Sequence, residues 1–498
     1  MATMKSEPAG ETGEAGGEAG ADAAGLVAVL AFAGIVVSLM QTLVIPILPS
    51  LPRLLDASAS NTAWAVTATL LAAAVATPVA GRLGDMYGKR RMLLVSLALL
   101  VTGAVVCALS DSLVPMIVGR ALQGLAAAVV PLGISVMRDV LPAERLAAST
   151  ALMSASLGIG SALGLPAAAF LADRFDWHLL FWASATLGTL AAVLVTVVVP
   201  ESTVRTGGRF DLVGSLGLAA GLVSLLLAVS KGGDWGWASP ATLGLFTTAV
   251  LVLPAWGLYE LRTDQPLVDL RTTARRQVLF TNLASVAFGF SMFAMSLVLP
   301  QVLQLPEGTG YGLGKSMLAV GLVLAPQGLV MMTMSTVSAR LTRAKGPKTT
   351  LMCGAVIVAC GYSLSLVLMS EVWHITLIAC TIGAGIGFAY GAMPALIMDA
   401  VPASETAAAN SLNTLMRSLG TSFAGALAGV VLARMTTDFG GYPLPAENGF
   451  KVVMAIGAGS AVLAFAVASF IPARRTTAQE EPAADGAAEA AEATRAKA

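Results

Sequence analysis

Long apolar runs separated by short polar joints dominate the chain, at 24–48, 61–81, 91–110, 112–137, 146–172, 178–199, 211–230, 239–259, 277–303, 314–338, 349–369, 373–397, 406–433 and 450–471. A helix needs about 20 mostly apolar residues to cross the hydrocarbon core of a bilayer. Helices and closed barrels are the only structures that satisfy their backbone there. These runs are too long and too continuous for the alternating strands of a barrel. The pattern therefore predicts an all-α integral membrane protein with fourteen transmembrane helices. The joint between 112–137 and 146–172 is the weakest in hydropathy and is marked by Arg138, Asp139, Pro142, Glu144 and Arg145. Residues 1–23 are acidic and rich in Gly and Ala, and residues 473–498 are rich in Ala and Glu; both carry little apolar surface, so disordered, solvated tails are expected. The first of these has no basic n-region and does not read as a signal peptide.

Composition agrees with lipid as the main solvent. The 498 residues are 56% hydrophobic and 12% charged, with mean hydropathy +0.80. A soluble domain carries about 25% charged residues. The formal net charge is zero, which argues against nucleic acid as a partner. Charge matters most for orientation. With the N-terminus in the cytoplasm, 21 of the 29 Lys and Arg fall on the cytoplasmic side and six outside, leaving Arg120 and Arg417 within spans. That bias follows the positive-inside rule and predicts both termini in the cytoplasm. Cys107, Cys353, Cys360 and Cys380 lie in apolar runs without metal-ligand spacing and read as free thiols.

A weak internal repeat suggests how the spans are grouped. "MRDVLPAE" (Met137 to Glu144) follows the fourth run and "MDAVPASE" (Met398 to Glu405) the twelfth, while "ARLTRAKGPK" after the tenth run takes the place of "GRLGDMYGKR" after the second. The simplest organisation is a six-helix bundle over 24–200, a linker with two extra spans over 201–272, and a second six-helix bundle over 273–472. Two such pseudo-repeated bundles suit a transporter in which one half rocks against the other about a midplane site.

The densest charge is "GRLGDMYGKRR", Gly81 to Arg91, between two apolar runs. Gly81 and Gly88 permit close approach and tight turning. Asp85 is placed to meet the N-terminus of a neighbouring helix. Lys89 and Arg90 are placed to reach Asp139 at the end of the fourth helix, forming an ion cluster that gates the inner mouth. Charge inside a membrane span marks function by default. Arg120 is expected to face the cavity with Gln41 and Gln123 as polar neighbours; Arg417 serves coupling or ties helices together. His178 and His374 each follow a Trp at an outer helix end and read as interfacial anchors. There is no G-x-x-x-x-G-K-[ST] loop, no metal cluster and no nucleophile–base pair, which argues against ATP, metal, cofactor and enzymatic chemistry.

These residues resemble the major facilitator superfamily. "GRLGDMYGKRR" is similar to its loop signature G-x-L-a-D-r-x-G-r-k through Gly81, Leu83, Gly84, Asp85, Gly88, Lys89 and Arg90, with Met86 in place of a usual Arg. "GRALQGLAAA" resembles the family's helix 4 motif through Arg120, Gln123 and Gly124. Fourteen spans, "ELRTDQPLVDL" (Glu260 to Leu270) and "NSLNTLMRSLG" (Asn410 to Gly420) resemble the drug:proton antiporter branch. That branch has an Asp in helix 1, where this chain has Met40 beside Gln41. Its helix 5 motif ends in paired glycines; here "GSALGLPAAA" keeps Gly160, Gly164 and a displaced Pro166, with Gly158 just before. Those glycines permit close helix packing. The resemblance implies a cavity lined by helices 1, 4, 9 and 12, offering Met40, Phe288, Phe290, Met292, Phe293, Met295 and Tyr390.

The expectation is an exporter of small lipophilic compounds, driven by proton antiport through alternating access in the plasma membrane. The alternative is a same-fold exporter or facilitator of a native lipid or metabolite with different coupling. A membrane-embedded enzyme or sensor is the weakest reading, because no polar catalytic groups gather at one depth and no soluble domain is evident.

Overall fold

The computed structural model describes residues 11–472 apart from Pro46, Pro49, Thr203 and Gly441. Among them, fourteen helices are long and apolar enough to span a membrane: α1 (Ala23–Thr42), α2 (Trp64–Tyr87), α3 (Lys89–Ala108), α4 (Leu113–Val140), α5 (Ala143–Arg174), α6 (His178–Val198), α7 (Leu212–Trp235), α8 (Pro240–Glu260), α9 (Arg276–Gln304), α10 (Met317–Lys345), α11 (Pro347–Ser365), α12 (Val372–Met398), α13 (Ala403–Arg434) and α14 (Glu447–Ser469). The fourteen spans thus match the fourteen apolar runs. The helix of α1 begins earlier, at Glu11, so residues 11–23 are helical where a disordered tail was expected. The alanines and glutamates favour a helix while Gly13, Gly16, Gly17 and Gly20 oppose it, and extending a helix that already exists avoids the nucleation cost. Residues 1–10 and 473–498 lie outside the described residues.

Large apolar side chains face outward along these helices, with Val197 78%, Val114 70% and Val250 69% exposed. Such faces are at home in lipid, where the helices keep their backbone groups satisfied internally. The packing repeats after eight helices. In the first half α1 packs on α5, α3 on α6 and α2 on α4; in the second α9 packs on α13, α11 on α14 and α10 on α12. The halves meet along α2–α13 and α5–α10, two contacts that exchange under the same correspondence. The inserted pair stands aside: α7 packs on α2 and α13, and α8 packs on α7. Each half has its own apolar core, and Leu218, Leu222 and Leu226 of α7 pack with Leu412 and Leu415 of α13.

Local breaks have identifiable causes. α4 tightens into a 3-10 turn at Leu125–Ala128, just before Pro131, which has no N–H for the fourth residue back. Gly88 separates α2 from α3 with φ +117°, a conformation that disfavours any side chain. At the far end a hairpin pairs Thr436–Phe439 with Tyr442–Pro445, and the Tyr311 hydroxyl donates to the Pro445 carbonyl. The end that carries Gly88 is called the basic end below.

Candidate functional site

At the basic end the two halves are joined by charge. Asp85 lies on the last turn of α2 and points across the boundary at the start of α13. Its carboxylate accepts hydrogen bonds from the backbone N–H groups of Ala407 (3.2 Å) and Ala408 (2.8 Å). Those N–H groups belong to the first helical turn beginning at Thr406 and have no partner within their own helix. The helix dipole adds attraction for the carboxylate. Close approach depends on Gly81, where a Cβ would sit 2.8 Å from the Ala407 carbonyl oxygen and 2.3 Å from Ser411 Oγ. Lys89 opens α3 one residue after Gly88, fully buried, with Nζ 3.8 Å from Asp85 and 2.6 Å from Asp139. It also donates to the Ala403 carbonyl at 3.5 Å in the second half. The Ser202 hydroxyl donates to Asp139, and the Thr206 N–H donates to the Asp85 carbonyl at 2.9 Å, so the segment after α6 is tied to the cluster.

Arg138 makes the complementary contact. From the end of α4 it donates to the carbonyls of Met398 (2.7 Å), Val401 (2.9 Å) and Pro402 (3.3 Å), and to the Thr406 hydroxyl (2.5 Å). Met398 is the last residue of α12. The first half thus presents an acid to the N-terminus of α13 and an arginine to the C-terminus of α12, each matched to the dipole it meets. Arg90 does not reach Asp139. It donates to the Thr196 carbonyl (2.5 Å) near the end of α6. Lys348 of the second half, two residues after Gly346, similarly donates to Ser469 and Ile471 carbonyls at the end of α14 (2.7 and 2.5 Å). Arg90 and Lys348 are therefore equivalent helix caps within their own halves, and the link between halves belongs to Asp85, Lys89, Arg138 and Asp139.

Arg120 lies deep in the first half, 1% exposed, where a face on the cavity was expected. It donates to the Ala65 carbonyl (3.0 Å), the Met40 carbonyl (3.2 Å) and Gln123 Oε1 (2.7 Å). The helix of α1 ends at Thr42, so the Met40 carbonyl is in its last turn and lacks an intrahelical donor. The guanidinium is solvated by these oxygens and holds α4 to α1 and α2. Gln123 is its neighbour, while Gln41 is exposed and takes no part.

The α5 glycines set helix approach on two sides. A Cβ at Gly160 would lie 2.5 Å from Ser38 Cβ, and one at Gly164 would lie 2.0 Å from Thr42 Oγ1, both on α1. One at Gly158 would lie 2.2 Å from Met331 Sδ of α10, and Pro166 packs against Gly321 of α10. In the second half the Arg417 guanidinium lies 4.6 Å over the Tyr390 ring, and Tyr390 donates to Met292 Sδ at 3.2 Å. Phe288 and Met295 are buried in the core of that half, as Met40 is in the first; Phe290, Met292 and Phe293 are half-buried. Beside them is a polar group that sequence reading did not single out: Asn413 of α13 donates to Asn282 Oδ1 (2.9 Å) and Ser285 Oγ (2.7 Å) of α9. Arg138 was also passed over as a site residue, although its place in the repeated "MRDVLPAE" next to Asp139 marks the helix end from which it reaches.

The family model of the Major Facilitator Superfamily matches residues 30–425. Multidrug resistance protein 3 of Bacillus subtilis (strain 168) is 24% identical over 385 residues, covering 76% of this chain and 73% of the relative. The putative multidrug resistance protein MdtD of Pectobacterium carotovorum subsp. carotovorum (strain PC1) is 26% identical over 409 residues, covering 81% and 86%. In fold, the crystal structure of the human organic anion transporter MFSD10 (TETRAN) superimposes with TM-score 0.63 at 16% identity, covering 90% of this chain and 99% of that one. With fourteen spans, two repeated bundles and a family match across most of its length, the chain belongs to the Major Facilitator Superfamily and is a multi-pass membrane transporter, not an enzyme.

Proposed function

We propose that this transporter exports small lipophilic compounds from the cytoplasm across the plasma membrane by alternating access, driven by proton antiport. The observation that carries the reading is the latch of Asp85, Lys89, Arg138 and Asp139, which joins the two halves at the basic end. A contact built from helix-terminus bonds and a few charges is strong enough to hold one state and weak enough to be released by substrate. The positive-inside bias supports a cytoplasmic position for that end, in which the latched arrangement is closed to the cytoplasm. The multidrug names of the relatives support the lipophilic substrate class. The test is reconstitution in proteoliposomes with a pH gradient and a panel of lipophilic compounds. Compound addition is expected to release protons through the carrier, and collapse of the gradient to stop uphill export. Export of a compound with no proton movement and no dependence on the gradient would reject antiport.

A second reading, export or facilitated movement of a native lipid or metabolite with different coupling, draws on one feature. Met40 stands where the branch carries an acid, and its carbonyl is taken by Arg120.

A further inference from the structure

The inserted pair α7–α8 carries two carboxylates that face each other. Asp211 caps the start of α7, where Oδ1 accepts from the Gly214 N–H (2.8 Å) and from the Tyr259 hydroxyl (3.1 Å). Glu260 ends α8 and is 2% exposed. Both press on Gly214: a Cβ there would lie 2.3 Å from Asp211 Oδ2 and 2.4 Å from Glu260 Oε1, so the two oxygens are no more than 4.7 Å apart. Asp211 Oδ2 and both Glu260 oxygens are buried without a hydrogen-bond partner. The Trp256 indole N–H and the backbone N–H groups of Leu267 and Val268 face Glu260 without meeting hydrogen-bond geometry. Neither carboxylate has an ion-pair partner among the described residues.

A desolvated carboxylate facing a second one at this range is costly to ionise, and a proton on Glu260 removes both its buried charge and the repulsion. Glu260 also lines a cavity of about 260 Å³ at the basic end, walled by Arg82 of α2, the segment from Leu261 to Thr273, and Glu405 and Ala408 of α13. The charged groups facing it from those elements are Arg82, Asp264, Asp269, Arg271 and Glu405. Ala408 is the residue whose N–H holds Asp85. The cavity therefore connects Glu260 to the helix terminus that holds Asp85.

We infer that Glu260, facing Asp211, binds a proton and that its protonation biases the latch. Loss of that proton leaves two like charges pressed on Gly214, pushes the end of α8 from α7, and shifts the segment that packs against α13. As a carrier of coupling protons Glu260 rests on the antiport reading; as a proton-binding site it does not.

The test is infrared spectroscopy of the full-length protein in lipid nanodiscs, with carbon-13 glutamate. Glu260 is the only buried glutamate among the described residues, so a protonated-carboxyl band that moves with this label reports it without any substitution. The band is expected at neutral pH, to disappear on alkaline titration, and to be absent in Glu260→Gln and shifted in Asp211→Asn. Export is expected to vary severalfold with pH in the wild type and to be flat in Glu260→Gln. No label-sensitive band at neutral pH, or one unchanged in both variants, would overturn the site, even if export is proton-driven. A band that behaves as expected in a protein whose export ignores the proton gradient would keep the site and reject antiport.

Discussion

The side chains of the latch differ in what their loss exposes. Asp85→Asn keeps the shape but removes the charge that meets the α13 dipole, a contact of about 0.3–2 kcal/mol. A tenfold change in an equilibrium corresponds to about 1.4 kcal/mol. The substitution should shift the balance between closed and open states severalfold and lower transport, with normal yield of folded protein. Lys89→Met leaves Asp85 and Asp139 buried beside each other without their shared cation. Removing one partner of a buried pair costs about 3–5 kcal/mol, so Lys89→Met should impair both transport and thermal stability more than Asp85→Asn. Equal effects in a thermal-shift and uptake comparison would contradict this ordering. Arg120→Ala strips the donor from two buried carbonyls and Gln123, about 1–3 kcal/mol for each group left unsatisfied. It should lower the melting temperature as well as transport, and Arg120→Lys, lacking the planar fork, should restore only part of either. Normal stability with abolished transport would point instead to a direct coupling role. Asp85 and Lys89 were legible in the sequence because charge in a tight glycine loop has few other uses. The place of Arg120 was not: its partners are mostly backbone oxygens, freed where α1 ends, and no side-chain pattern announces them.

The helices themselves were legible to within a few residues, because lipid demands an uninterrupted apolar run for each crossing. Their ends were less so. α5 extends over 32 residues, Ala143–Arg174, since a helix continues into polar flanks where hydropathy falls. The joint at Gly88 shows what sets an end. Its φ of +117° strains any side chain, and a Cβ there would displace the Glu201 carboxylate, 2.3 Å away. Gly88→Ala should cost about 1–3 kcal/mol, read as a lower melting temperature in detergent, and displace Lys89 from Asp139. Gly164 tests helix contact apart from the gate: Gly164→Val drives a side chain into Thr42 of α1 and should destabilise the first half while leaving the latch residues in place. A melting temperature equal to wild type would show that α1 and α5 are free to separate. The pairing of Arg90 with α6 rather than Asp139 was hidden for a related reason. Sequence spacing shows which residues share a loop, whereas the direction of α3 after Gly88 decides which of them faces the second half.

The whole molecule is two equivalent bundles joined by unequal contacts. The repeat was visible in two short loops, and the packing extends it to every helix of both halves, but the latch breaks the equivalence. The position matching Asp85, counted back from Gly346 as Asp85 is from Gly88, is Arg343. A cation there does not suit a helix N-terminus, so the second half has no matching acid to offer. The charge bias predicts the orientation: in a cysteine-free background, Tyr87→Cys and Gly310→Cys, both exposed, should label from opposite sides of the membrane. Labelling of both from outside by an impermeant thiol reagent would reject the fourteen-helix topology. The central claim, that the latch at the basic end governs which face is open, is tested most directly by paired spin-label distances in lipid nanodiscs. One pair, Tyr87 and Ala403, spans the basic end; the other, Asp111 and Gly310, spans the opposite end, and all four sites are exposed. In Asp85→Asn the first distance should lengthen and the second shorten relative to wild type. Distributions at both ends that match wild type would contradict the claim.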